Sequence, residues 1–385
     1  MLYFMIDNLT YGGAERQATY LIENSIGVDE LVLLENHIKY ELKTSIPIRS
    51  IHSKILRIYQ RPLGDSFAVK ELSKVYKDRD TVISFLERSN IANIKISLNT
   101  GHRSIISVRN YMSERYKEKK YFFRMKLIKK YYPKADLIIV NSIDSKNDLV
   151  NNFDVPEEKI KVIYNLIDIE KINSLKNDSI EDEYKEIFEY PVILNIGSLI
   201  PQKSQKQLID AFKRIKQSNP EYKMVIIGDG KLYEVLEQTI KENGLIRDVF
   251  LLGNTNNPFK YLNKADMFVL NSKFEGFPNV LLESLATGIP VVTKNCLSGP
   301  AEMLKVLNYK NEEIKLTKYG YIFPRKAYEV DEKKELSFLI DAINRMIDFK
   351  KNDLKSYDDL KINCINRAMS FSVDNIVEEW IKVIE

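Results

Sequence analysis

The stretch "DMFVLNSKFEGFPNVLLESLATGIPVVT", residues 266–293, decides the fold. It opens on "DMFVLNS", a short apolar run of the kind that forms a buried strand, ending near Asn271. Pro278 fixes its own φ and lacks an N–H, so it suits the first turn of a helix. That helix runs from about Pro278 to Thr287. Gly288 stands where a C-terminal cap belongs, and Pro290 lies just beyond it. "PVVT" then begins another strand. Two glutamates interrupt this apolar segment, with seven residues between them. The helix start separates them: Glu275 lies on the strand-to-helix loop and Glu283 inside the helix.

The same alternation extends in both directions. "LYFMI", "ELVLL", "TVISFL", "SIISV" and "LIIVNS" read as strands of a first half. "VILNIGS", "KMVIIGD", "VFLLG", "MFVLN" and "PVVT" repeat the theme in the second. Helical patterns such as "KQLIDAFKRIKQ" and "LYEVLEQTIKENG" lie between them. Strands alternating with helices imply parallel sheets covered on both faces. A chain of 385 residues is too long for one ordinary core and suits two domains. The polar segment "NDSIEDEYKEIFEYP" places the break between residues 165 and 190. The expected units are an α/β domain over 1–168, a second over 169–368, and a C-terminal helix over 369–385. That helix is amphipathic, with Ile376, Trp380 and Ile381 or Val383 inward, and it can dock on either domain, including back on the first. Ligands of open parallel sheets bind at the carboxyl ends of strands, so the expected site is the cleft between the two sheets.

Composition narrows the class. The chain is 44% apolar and 29% charged, as a globular protein is. No apolar run reaches the ~18 residues of a membrane-spanning helix, and "MLYFMIDNLT" lacks the basic start of a signal peptide. Cys296 and Cys364 form neither a disulfide framework nor a metal motif. A reducing cytoplasm fits these features. A net charge of +4 does not argue for nucleic acid.

Physical reading gives the two glutamates a shared task. Free N–H groups at a helix start favour an anion or sugar oxygens, and a carboxylate can accept from ribose hydroxyls. The bland alternative is a Glu275 that merely suits a helix N-terminus and a solvated Glu283. The wording "EGFPNVLLESLATGIPVV" resembles the Glu-x7-Glu signature of retaining glycosyltransferases of family 4, which have the two-domain GT-B fold of Rossmann-like units. The resemblance implies that Glu275 contacts hydroxyls of the donor sugar and that Glu283 holds the ribose of its nucleotide. Backbone at Gly276, Phe277 and Asn279 would line the sugar and diphosphate.

Further motifs follow in the family's order. In "VILNIGSLIPQKSQKQLIDAF" a loop carrying Lys203 separates a strand from a helix, and a lysine there is a reasonable diphosphate ligand. Two departures stand out: Ser198 replaces the family's arginine, and Ser204 replaces the glycine after the lysine. Arginine offers a fixed charged fork and serine only a hydroxyl. Lys206 is the nearest cation that could compensate. "VIIGDGKLYEVL" sets Gly228, Asp229 and Gly230 after a strand, where a tight turn explains two glycines as well as a ligand does. "FLLGNTN", with Gly253 and Asn254, resembles the base-contacting loop, and "LSGPAEML" a structural segment. "MIDNLTYGGAERQATYLI" is strand, glycine loop and helix, and its "GGAER" resembles the family's segment, a resemblance that implies Gly12 and Gly13 near the donor phosphates and the acceptor. "SIISVRNYMSERY" holds Arg109 and Asn110 where some relatives carry a histidine. Arg109 serves equally as a sheet-end structural residue.

The resemblance implies transfer without a protein nucleophile or a metal, the leaving diphosphate taking the acceptor's proton, with Glu275 and Lys203 as the catalytic pair. "KDRD", 77–80, precedes its strand and lies at the wrong end of the sheet for a metal site. The implied partners are a UDP- or GDP-linked sugar and a saccharide or lipid-linked acceptor. The stretch 113–134, nine Lys or Arg among nine Tyr, Phe, Met, Leu or Ile, reads as a basic aromatic helix. It suits either an anionic membrane surface or a solvated rim on its own domain. The competing functions are a nucleotide-sugar epimerase or hydrolase, and a nucleotide-sugar-binding protein that has lost catalysis.

Overall fold

The computed structural model describes residues 1–10, 12–24, 26–40, 42–52, 65–306, 308–309, 312–325 and 332–385. The chain divides into two compact units. Unit 1 comprises Met1–Leu166 and Val373–Glu385, and unit 2 comprises Ile167–Ser372.

Unit 1 is built on seven strands: β1 (Leu2–Ile6), β2 (Glu30–Glu35), β3 (Ile48–His52), β4 (Thr81–Phe85), β5 (Arg103–Val108), β6 (Leu137–Val140) and β7 (Ile160–Val162). They lie in the order β3-β2-β1-β4-β5-β6-β7, and each neighbouring pair is parallel. β1, β4, β5 and β6 are buried almost throughout. This is why their sequences run apolar rather than alternating. One face is covered by the helices Gly13–Glu23 and Val373–Ile384, which bring Leu21, Ile22, Ile376 and Trp380 onto Phe4, Phe85 and Ile105. The other is covered by the helix Glu87–Thr100 and by Phe122–Tyr131, through Ile91, Ile94 and Ile128.

Unit 2 repeats the plan with β8 (Val192–Ile196), β9 (Lys223–Ile227), β10 (Val249–Leu251), β11 (Met267–Leu270), β12 (Val291–Lys294), β13 (Lys315–Thr317) and β14 (Gly320–Phe323). Its order is β10-β9-β8-β11-β12-β14-β13, parallel except for the final β13–β14 hairpin. Each sheet therefore reverses direction of growth beside its first strand, between β1 and β4 and between β8 and β11. Crevices at such points are where doubly wound sheets bind ligands.

The segment from 167 to 190 is part of unit 2. It forms the helices Ile169–Leu175 and Asp182–Lys185. Asn257 holds it by donating to the Leu175 carbonyl at 2.9 Å and to Asp178 at 2.8 Å. The return to unit 1 comes after Ser372 rather than after residue 368, because Ile167 and Ser372 pair as neighbouring extended residues. And 113–134 is not one helix. It breaks into Met112–Arg115, the 3-10 turns Lys119–Tyr121 and Tyr132–Lys134, and the helix Phe122–Tyr131. Pro133 in the last turn lacks an N–H for a longer helical ladder.

The C-terminal helix belongs to unit 1. It buries Ile376, Val377, Trp380 and Val383. Arg103 at the start of β5 caps it, donating to the carbonyls of Val383 and Ile384 at 2.8 Å each. Terminal carbonyls with no helical partner take a cation well.

Candidate active site

The unit 2 crevice is assembled from loops tied to one another by backbone. After β8, Gly197 donates to Ile227 and Leu199 to Asp229, each at 2.9 Å, and Gly228 donates to Gly253 at 2.8 Å. The loops after β8, β9 and β10 thus form one floor. Gly228 and Gly230 have φ of 144° and 155°, and a Cβ on Gly228 would lie 2.1 Å from the Gly197 carbonyl. Close approach of two backbones, more than a turn, is what demands these glycines. Asn254 sits exposed on the β10 loop, and Ser198 is exposed on the β8 loop.

Lys203 leads out of that floor. A Cβ on Gly197 would lie 3.6 Å from its Cδ and Cε, so the stem lies along the glycine. Its Nζ donates to Glu275 Oε1 at 2.7 Å. Both side chains are largely enclosed, at 17% and 9% exposure. Ser204, next in the chain, adopts φ of 55°. The left-handed region costs a residue with a Cβ about 1 kcal/mol, which explains why a glycine would be at home there. Lys206 does not replace the missing arginine: it is exposed and pairs with Asp210 at 3.0 Å on its own helix.

Glu275 is held from three sides. Its N–H donates to Leu297 at 2.9 Å. Gln202 donates its side-chain amide to the Phe274 carbonyl at 2.8 Å and accepts from the Lys273 N–H, also at 2.8 Å. Ser298, at φ of 73°, hydrogen-bonds the Gly276 carbonyl through its hydroxyl. Phe277 turns its ring into the protein against Phe371, 5.5 Å between centroids, leaving its backbone as the only part able to line a ligand. Asn279 opens the helix Asn279–Thr287, and Glu283 within it is 5% exposed. The solvated reading of Glu283 is therefore wrong. Cys296 lies close enough for the Glu275 charge to act on its thiol. Burial first, then that charge, pushes the thiol far up, so it is no nucleophile.

The unit 1 crevice has a different character. The position a Cβ of Gly12 would take is filled by the Glu15 carboxylate, 2.0 Å away. The helix Gly13–Glu23 is thus covered at its N-terminus by its own side chain, where an incoming phosphate would otherwise bind. Gly13 is exposed at the helix start. Asp7, after β1, accepts from the Ser89 N–H at 3.1 Å and hydroxyl at 2.5 Å. Loss of water around it pushes its carboxyl up to about 6. Burial raises Glu15 as well, and the charges of Asp7 and Glu87 add to this.

Arg109 follows β5 and is 9% exposed. Its guanidinium lies 4.7 Å from the Phe85 ring centroid and 6.0 Å from that of Trp380. Among the described residues, Nε and Nη1 have no hydrogen-bond partner, nor does Nε1 of Trp380. Burial alone lowers it to about 9, with no carboxylate opposing the shift. Two rings offset about 2 kcal/mol of a desolvation cost that runs to several. Asn110 beside it is half-buried. After β6, Asn141 donates to the Arg109 carbonyl at 3.5 Å.

Two family models cover the chain in succession. "Glycosyltransferase Family 4" matches residues 11–171, and "Glycosyl transferases group 1" matches 177–345. An uncharacterized glycosyltransferase of Methanocaldococcus jannaschii is 35% identical over 346 residues, 84% of this chain and 83% of that one. The N-acetylgalactosamine-N,N'-diacetylbacillosaminyl-diphospho-undecaprenol 4-alpha-N-acetylgalactosaminyltransferase of Campylobacter jejuni is 35% identical over 320 residues, 78% of this chain and 82% of that one. This chain belongs to glycosyltransferase family 4. The glycosyltransferase has the GT-B fold: the Anabaena HepE structure in complex with UDP and glucose superposes with a TM-score of 0.76 at 19% identity, covering 100% and 99% of the two chains. The lipopolysaccharide outer core galactosyltransferase WaaB, in its apo form, gives 0.68 at 20% identity with the same coverage.

The structure of this glycosyltransferase gathers Lys203, Glu275, Gly276 and the 228–230 loop at one crevice. Gly12, on the loop after β1, and Arg109 and Asn110, after β5, lie in the other unit. Sequence reading missed Gln202 and Ser298, which fix the Glu275 loop. In the "LSGPAEML" segment, Gly299 at φ of 99° packs against the helix start, where a Cβ on it would strike Pro278 at 2.7 Å.

Proposed function

We propose that the protein is a retaining glycosyltransferase that moves a sugar from a nucleoside-diphosphate donor to a hydroxyl of a lipid-linked saccharide. The Lys203–Glu275 pair carries this reading. It stands at the point where the unit 2 sheet reverses, on loops fixed by Gln202, Leu297 and Ser298. A cation and a carboxylate in contact can serve adjoining parts of one ligand: Lys203 the diphosphate, Glu275 the sugar hydroxyls. Glu283, from within its helix, takes the ribose, and the backbone of Gly276, Phe277 and Asn279 borders the sugar.

In the transfer the bond from the sugar's anomeric carbon to the diphosphate oxygen breaks. A new bond forms to the acceptor oxygen on the same face. The acceptor's proton passes to the departing diphosphate, whose charge Lys203 offsets. Ser198 leaves one fewer cation for that task, and UDP is the nucleotide to test first. The lipid-linked acceptor is supported by the Campylobacter relative, whose name states a diphospho-undecaprenol substrate.

Membrane contact through 113–134 is part of the proposal. Phe122 and Phe123 are 55% and 77% exposed, and Lys119, Lys120, Lys126 and Lys129 around them are exposed too. Two aromatic rings amid lysines suit an anionic bilayer surface. Such a surface would set the enzyme on the cytoplasmic face of the cell membrane.

The test is product analysis with UDP-sugars and membrane lipid extract. Transfer with retained anomeric configuration supports the proposal. Sugar release that is indifferent to acceptor would establish a hydrolase instead.

A further inference from the structure

Unit 1 contains a buried cation with no counter-charge among the described residues. Arg109 is nine-tenths buried, yet among the described residues no carboxylate forms an ion pair with it. Elsewhere in the same unit a buried guanidinium is treated differently. Arg88 meets Glu35 and Asp65, each at 2.7 Å. Carboxylates thus neutralise buried Arg88, and among the described residues none does so for Arg109.

The neighbourhood of Arg109 is donor-rich. Its Nε and Nη1 and the indole Nε1 of Trp380 all lack acceptors. Ser107 Oγ, two residues earlier on β5, has no partner either. The guanidinium carbon lies 4.7 Å from the Phe85 ring centroid and 6.0 Å from that of Trp380, so two aromatic rings flank the cation. At neutral pH it keeps its charge. It stands at the carboxyl end of β5, the side on which parallel sheets take ligands. The glycine loop of this unit is the other place for an anion, and Glu15 already covers it.

Resting on the transferase reading above, we infer that Arg109 is the phosphoryl-binding residue of unit 1, engaging anionic oxygens of a diphosphate at the end of β5. Two sources supply that chemistry: the diphosphate of the lipid-linked acceptor and that of the nucleotide donor. Arg109 would bind and position rather than take part in bond making. The ligand replaces the carboxylate that the fold withholds, which makes a buried cation favourable only when substrate is present.

The experiment uses the full chain and two probes, farnesyl diphosphate for the lipid source and UDP for the donor. Calorimetric titration compares wild type with Arg109→Met, which keeps length and loses charge. Loss of a charge-assisted hydrogen bond weakens binding by about tenfold or more. A loss confined to farnesyl diphosphate assigns Arg109 to the acceptor, and a loss confined to UDP assigns it to the donor. Equal affinities of the two proteins for both probes overturn the inference. Should Arg109→Met not fold, the Nε–H resonance of Arg109 in labelled wild-type protein, assigned by its absence in Arg109→Lys, gives a second reading. A shift on saturation with either probe supports the site, and an unmoved resonance with both removes it. In steady state, Arg109→Lys is expected to raise KM for the acceptor or donor while kcat changes little. A purely structural arginine would lower apparent kcat through loss of folded protein and leave KM unchanged. Glu275→Ala tests the transferase reading separately, since farnesyl diphosphate binding at Arg109 does not require the Glu275 loop.

Discussion

The two crevices share a strand order and differ in how they treat charge. In unit 2 a lysine and a glutamate meet at 2.7 Å on loops locked by backbone hydrogen bonds. In unit 1 burial raises the carboxyls of Asp7 and Glu15 above the usual carboxylate range, while among the described residues no carboxylate pairs with Arg109. One crevice is balanced within itself and the other is not. A fold sets where ligands arrive, and the charges placed there decide which ligands are welcome.

The largest effect should come from breaking the balanced side. Glu275→Ala is expected to reduce kcat for transfer by about a thousandfold, the scale of losing a preorganised transition-state contact. Unchanged turnover would remove Glu275 from the chemistry. Next is the support of the unbalanced side. Trp380→Ala should destabilise unit 1 by about 3–5 kcal/mol, as for other fully buried aromatics. Unfolding followed separately in the two units should show the loss in unit 1 only.

A third test uses pH. The Asp7 carboxyl sits at about 6 in the folded protein, above the ordinary value near 3.8. Between those values the folded chain binds more protons than the unfolded one, so stability falls as pH rises from about 4 to about 6. Asp7→Asn should abolish that slope and be the more stable protein at pH 7, while gaining nothing at pH 4. Identical denaturation profiles at both pH values would show that the Asp7 carboxyl is not crowded as the structure has it. The smallest effect concerns one backbone angle. Ser204→Gly should add about 1 kcal/mol by relieving the left-handed conformation. A loss on denaturant titration would contradict that geometry.

Much of this architecture was legible because the strands are buried on both faces and read as unbroken apolar runs. β3, β7 and β13 escaped notice for physical reasons. β3, "IRSIH", lies at the sheet edge and is exposed over its first three residues. β7 and β13 have only three residues each, too few for a pattern. At the site, Glu275, Glu283 and Lys203 stood out because charge on an apolar background is conspicuous. Gln202 and Ser298 did not, since an amide or hydroxyl that holds a loop looks like any surface polar group. The long-range geometry was equally hidden. Nothing near Arg109 in sequence announces Trp380, which arrives from the far end of the chain to lie beside it.

That late arrival bears on biogenesis. Trp380, Ile376 and Val383 fill the core of a unit whose other residues end at Leu166. On the ribosome, the first-made sheet must wait with one face incomplete while all of unit 2 is synthesised. Unit 2 is contiguous and can finish as soon as it emerges. Order of synthesis and order of completion are therefore opposite, and a chain stopped just short of Val373 would leave behind one finished unit and one that chaperones would have to guard.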